Sequence, residues 1–335
     1  MEREIVEFRL IKTRFTDLFG CSVPLQQAAM GGLDNARLAA AVANAGALGM
    51  VAIGGLSIER VSKILNELKS STSGALGVNI TGPFEEVDNM SELAEVGAKA
   101  TKVVEFFYGW PDKSLVDTVH SQGSLACWQL GSREEAIAAE KAGCDLIVAQ
   151  GIEAGGHIRG KVGLMALLDE VIESVKIPVV AAGGIGSGRA MAAALTAGAS
   201  AVRVGTRFVA ADESGAHPDY VKALIRARAI DTVVTEKFSR DWPDAPHRVL
   251  RSSVEAADKF QGDIVAEGTR RDTGAKFPVL RFSTTTASIR ISGDIAAMAL
   301  YAGESVGGVR KVQPAAEIVR ELASEAEDYL SKRTE

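Results

Sequence analysis

Residues 178–208 read PVVAAGGIGSGRAMAAALTAGASAVRVGTRF. A short β-rich apolar run, PVVAAG (178–183), breaks into glycines. A helix-forming segment capped by Ser187 follows, and a second apolar run, AVRVG (201–205), comes after it. Apolar strands with no polar face are the mark of parallel strands covered on both sides, and the helix between them is the crossover such strands require. The same unit recurs upstream. PLQQAA (24–29), ALGMVAI (47–53), ALGVNI (75–80), TKVVEFF (101–107), SLACWQL (124–130) and DLIVAQ (145–150) each precede a helix-type segment. Asp34, Ser57 and Ser132 stand where N-caps belong, Gly46 is a helix stop, and Ser132 with Glu135 reads as a capping box. Eight such units in about 205 residues predict an α/β protein built as a (β/α)₈ TIM barrel. A doubly wound open sheet is the competing arrangement.

The pattern changes after residue 210. Residues 211–290 read as a mostly helical insertion beside the barrel mouth, on the segments DESGAHPDYVKALIRARAIDTVV and RVLRSSVEAADKFQGDIVAEGTRR. Residues 1–210 and 291–335 then make up the barrel with a polar C-terminal helix. Within the insertion, WPDAPH (242–247) is a candidate to reach the mouth.

With 335 residues, 47% of them apolar and 24% charged, the chain has ample material for a large core. A net charge of −6 argues against a nucleic-acid or anionic-membrane surface, which needs a basic face. No apolar run approaches the ~20 residues that span a bilayer. The N-terminal stretch alternates charged and apolar residues, unlike a signal peptide. Cys21, Cys127 and Cys144 are odd in number and lack metal-ligand spacing, so no metal is expected and a reduced, cytoplasmic protein is.

Barrel enzymes commonly bind phosphate after their seventh and eighth strands. Here those strand ends carry Gly183, Gly184 and Ser187, then Gly205 and Thr206. Glycines let backbone N–H groups converge there, and the positive end of the helix capped by Ser187 favours an anion. The run GGIGSG does not satisfy G-x-G-x-x-G, and Arg203 stands where a dinucleotide site wants an acid, so a ligand with one phosphate is expected. A third glycine-rich turn, VAQGIEAGGHIRG (148–160), ends a strand at Gln150 and carries Glu153, Gly155, Gly156 and His157.

Taken together, AQGIEAGGH, PVVAAGGIGSGRAMAAAL, VRVGTRF and YAGESVGGV, with TRFTDLFGCSVPLQQAAMGG near the N-terminus, resemble the nitronate monooxygenases, formerly 2-nitropropane dioxygenases. The likeness spans about residues 12–210 and 290–310, and implies FMN across the barrel mouth. By matching motifs, Asn79 and Gln150 would bond the flavin ring or ribityl chain. Gly155 and Gly156, Gly183 and Gly184, and the run Arg203, Val204, Gly205, Thr206 would hold the ribityl–phosphate end. Met30 would lie against the isoalloxazine, and His157 matches the active-site histidine. The sequence departs from the family at Ala29, where proline is usual, in CWQLGS, which places Trp128 and Gln129 near the mouth, and in the longer GGHIRG. The resemblance implies oxidation of nitronates or nitroalkanes with O₂, with His157 as base or anion-stabilising group. The alternative is an NAD(P)H-dependent flavin reductase of the quinone or enoyl-ACP type, which shares these loops. A non-catalytic flavin-binding protein is a third reading. Glu153 reads as a loop acid, and His120 as a helix-terminal residue.

Overall fold

Eight parallel strands make a barrel only if the first also pairs with its neighbour across the seam. The computed structural model describes residues 11–33, 35–82, 87–271 and 273–332; the expected cap Asp34 lies outside them. The strands are β1 (Leu25–Gln27), β2 (Gly49–Ala52), β3 (Leu76–Thr81), β4 (Val103–Phe107), β5 (Leu125–Leu130), β6 (Leu146–Gln150), β8 (Val179–Ala182) and β9 (Ala201–Val204). The two-residue β7 (Gly156–His157) lies outside the barrel wall. Neighbours run β1-β9-β8-β6-β5-β4-β3-β2, all parallel. The ring closes where the Gln27 amide donates to Leu48 O at 3.0 Å and the Leu48 amide to Leu25 O at 2.9 Å. This closure rules out the open sheet.

Helix α1 (Arg14–Phe19) plugs the N-terminal end with Phe15 and Phe19, both fully buried against Leu48, Met50, Val103, Leu146 and Val148. Helices α2 (Asn35–Asn44), α3 (Ile58–Ser71), α4 (Val87–Ala98), α5 (Lys113–Ser121), α6 (Arg133–Ala142), α7 (Leu164–Ser174) and α8 (Gly188–Thr196) form the outer ring. Ser57 and Ser132 cap α3 and α6 as expected. The capping box does not form as read: the Glu135 carboxylate accepts from the Gly131 amide at 2.9 Å and takes Arg159 instead.

After β9 and the single turn α9 (Thr206–Val209), the insertion carries the expected helices, α10 (Pro218–Arg226) and α11 (Arg251–Lys259). It also carries strands that the helical reading missed. β10 (Thr232–Thr235) and β11 (His247–Leu250) pair antiparallel, and β11 continues onto β7 of the His157 turn. β12 (Ile264–Thr269), β13 (Lys276–Leu280) and β14 (Ile291–Gly293) form a second small sheet. These runs, TVVT and IVAEGT among them, adjoin polar helical sequence, and it is pairing with a neighbouring strand, not their own pattern, that makes them strands. Tyr220, Leu224, Phe238 and Val249 of the insertion share a second apolar core with Leu33, Met298 and Leu300 from outside it. The last helix, α12 (Ala315–Ser331), packs on α8. No helix among the described residues is long and apolar enough to cross a membrane.

Candidate active site

Strand alternation decides what reaches the interior. Along β5, Ala126, Trp128 and Leu130 join the layer between strands and helices, whereas Cys127 and Gln129 face inward. Trp128, expected near the mouth, therefore stacks on Phe106 at 4.9 Å and donates its indole N–H to Gly109 O at 3.0 Å, away from the cavity. Val204 is likewise turned into the outer core by its place in β9.

At the C-terminal ends of the strands lies a cavity of about 740 Å³. Met30, Asn79, Gln129, Gln150, Gly155, Gly156, His157, Gly183, Gly184, Arg203, Gly205 and Thr206 all line it. Thus every cofactor-binding, catalytic or pocket residue expected from the matching motifs, except Trp128 and Val204, lines one space, whereas Ser187 and Glu153 do not line it. Gly183 and Gly184 have φ of +110° and +69°, the left-handed region in which a side chain is strained. A Cβ on Gly155 would stand 2.4 Å from the Gly303 amide nitrogen, so this turn needs bare backbone for close approach.

The anion site differs from the expectation in one respect. The N-terminus of α8 is already matched by a carboxylate: the Gly188 amide donates to Glu325 Oε2 at 2.7 Å. The positive end of that helix is therefore occupied, and the backbone at Gly184, Gly205 and Thr206 is what remains open to the cavity. The Thr206 hydroxyl accepts from the Gly303 amide at 3.0 Å, which leaves its own proton to donate. Arg203 is not at that end. It lies in the barrel floor, donating to Gln129 Oε1 and pairing with the fully buried Glu105.

Gln150 fixes the His157 turn by donating to His157 O at 3.0 Å and accepting from the Arg159 amide at 3.2 Å. Glu153 points the other way; its carboxylate accepts from the Leu164 amide at 2.9 and 3.0 Å and caps α7, whose N-cap Gly163 has no side chain to offer. The His157 ring stacks on Trp242 at 4.1 Å and 27°, with Tyr301 at 5.7 Å and His247 at 5.3 Å. Its Nε2 is buried with no hydrogen-bond partner among the described residues. Burial, and then the neighbouring His247, push its pKa down to about 3, so the ring is neutral at physiological pH. Burial lowers His247 too.

Glu105, Trp242, His247, Arg270, Phe277 and Tyr301 were not picked out as site residues, although WPDAPH brought two of them near the mouth. Glu105 had a signal, a lone charge inside the apolar run VVEFF. Trp242, Arg270, Phe277 and Thr284 come to the cavity from the insertion. His120 is a surface residue bonded to Asp145 at 2.8 Å.

The nitronate monooxygenase family model matches residues 12–325. The chain belongs to that family. A probable nitronate monooxygenase of Staphylococcus aureus (strain JH9) is 30% identical over 296 residues, spanning 76% of this chain and 82% of that protein. FabK from Thermotoga maritima superposes with a TM-score of 0.81 at 30% identity, over 97% of this chain and 99% of that one. Nitroalkane oxidase from Streptomyces ansochromogenes gives 0.74 at 30% identity, over 95% and 99%. This member of the nitronate monooxygenase family is thus an oxidoreductase on the flavin-dependent TIM-barrel scaffold.

Proposed function

We propose that the protein is an FMN-dependent nitronate monooxygenase in which neutral His157 handles the proton of the substrate. The residues present suit a flat mononucleotide. Glycine-opened turns stand at one end of the cavity, and the floor offers the amides of Asn79, Gln129 and Gln150 beside the Arg203 guanidinium. Gly183, Gly184, Gly205 and Thr206 would hold the phosphate, with the floor groups and Met30 against the ring system. FMN held there would supply the redox chemistry between the substrate carbon and O₂.

The observation that carries the reading is the unpartnered, buried Nε2 of His157. Such a nitrogen takes a proton only if an anion is left beside it, because burial disfavours an isolated imidazolium. Removing the proton next to a nitro group leaves that anion, a nitronate, against the ring. Trp242 and Tyr301 hold the imidazole and keep water from it. With a preformed nitronate, the same nitrogen in its N–H form donates to a nitronate oxygen.

His157→Asn tests this. The base role predicts a loss of about 10²-fold or more in kcat/KM for neutral nitroalkanes. If the variant keeps FMN and turns over neutral nitroalkanes at the wild-type rate, His157 is no base. If preformed nitronates also react at full rate, the anion-stabilising role fails as well. The aromatic wall of Tyr108, Trp242 and Tyr301 also suits a flat nicotinamide or quinone, which keeps the reductase reading in play. Anaerobic bleaching of the flavin by NADH would establish that alternative; bleaching by a nitronate, with no response to NADH, supports the monooxygenase.

A further inference from the structure

Glu105 is the buried charge that the reaction above leaves without a task. It sits in β4 with no solvent exposure, one layer beneath the cavity. Its carboxylate accepts from Asn79 Nδ2 at 2.7 Å, from Gln26 Nε2 at 3.2 Å and from the Arg203 guanidinium. Three groups tied to it, directly or through Arg203, line the cavity: Asn79, Arg203 and Gln129.

An ionised carboxylate can only accept and a guanidinium can only donate. The Asn79 atom facing Glu105 is therefore its nitrogen, and the Gln129 atom facing Arg203 is its oxygen. The Gln129 amino group is then left for the cavity. One buried charge thus sets the hydrogen-bond polarity of the floor. It also sets the charge. Without Glu105 the floor would carry an uncompensated guanidinium, and Arg203 Nε has no partner among the described residues. A buried ion pair is a poor device for stability alone, since well-packed apolar residues usually serve as well.

We propose that Glu105 is a positioning residue that fixes the polarity and charge balance of the cavity floor, and so holds down the reduction potential of the flavin bound there. The inference rests on the FMN reading of the site. Reduction adds negative charge to a flavin, a nearby guanidinium favours that charge, and a carboxylate in contact with the guanidinium offsets it. A residue that merely supported the fold would change the affinity for oxidised and reduced flavin alike and leave the potential where it was.

The test is the midpoint potential of the flavin-loaded wild type, Glu105→Gln and Glu105→Asp. In Glu105→Gln the protein's preference for reduced over oxidised flavin rises at least tenfold, about 30 mV for a two-electron couple. Glu105→Asp, which keeps the charge but draws it back from Arg203, gives a smaller rise of the same sign. A Glu105→Gln protein that holds FMN at the wild-type potential overturns the inference. If Glu105→Gln yields no flavin-loaded protein, Glu105→Asp decides, and a wild-type potential there overturns it equally. A wild-type protein that takes up no FMN ends the flavin reading and this inference with it; loaded protein with unmoved potentials ends the inference alone.

Discussion

Acid should destabilise this protein through His157, by an amount the structure allows to be worked out. An unfolded histidine titrates near 6.5. In the fold, burial and His247 bring His157 to about 3. Between these values the unfolded chain binds a proton that the folded chain refuses. The contribution to stability is therefore complete above about pH 6.5 and is lost as the pH falls toward 3, with a limiting slope of about 1.4 kcal/mol per pH unit. From pH 6.5 to 5.0 the wild type loses on the order of 2 kcal/mol on this account. His157→Asn has nothing to titrate at that position, while His247 and the carboxylates remain in both proteins. Urea unfolding of the two proteins at pH 6.5, 5.75 and 5.0 isolates the effect. The wild-type advantage should shrink, or its deficit grow, by roughly 2 kcal/mol as the pH falls. A difference that stays constant to within about 0.3 kcal/mol would mean that the ring carries its proton in the fold, and the argument for a neutral, poised Nε2 would collapse.

Other consequences can be checked more briefly. An anion seated against His157 raises its pKa, so inhibition by a small nitro-anion analogue should tighten as the pH falls, approaching tenfold per unit at most; a pH-independent inhibition constant in wild type counts against contact with the ring. Trp242→Leu removes the stack at 4.1 Å and lets water reach His157, so the acid limb of the kcat/KM profile should move up toward 6.5; an unchanged limb would show that the indole does not shield the imidazole. Glu153→Gln removes a charged cap from α7 and should cost about 1 kcal/mol with turnover within about twofold of wild type, whereas a large loss of turnover would make Glu153 a chemical participant. Gly155→Ala forces a Cβ to 2.4 Å from Gly303 N and 2.7 Å from Ala302 C; because backbone cannot swing aside, about 3 kcal/mol or more of stability should go, read as a lowered urea midpoint.

Local signals sufficed for the barrel because its strands and crossovers are written in short-range terms. An apolar run of four to six residues, a cap, a helix period and a glycine stop each depend on neighbours in the chain. The turn at Gly183–Gly184 was legible for the same reason, since a left-handed φ favours glycine wherever the chain goes next. The His157 turn was legible as a glycine-rich strand end because its residues are contiguous in the chain, but that Gln150 and Glu153 there serve the backbone was not. Tertiary structure alone decided the rest. Whether Trp128 or Gln129 faced the cavity depended on the register of β5 against its neighbours, and a shift of one residue exchanges them. The neutral state of His157 depended on Trp242 and His247, which lie 85 and 90 residues further along the chain and arrive only when β11 pairs with β7. The charge balance of the floor depended on Glu105 meeting Arg203, 98 residues away, inside a closed ring. Period and propensity describe what a segment prefers; which distant side chain faces it, and how much water lies between them, is settled only by packing.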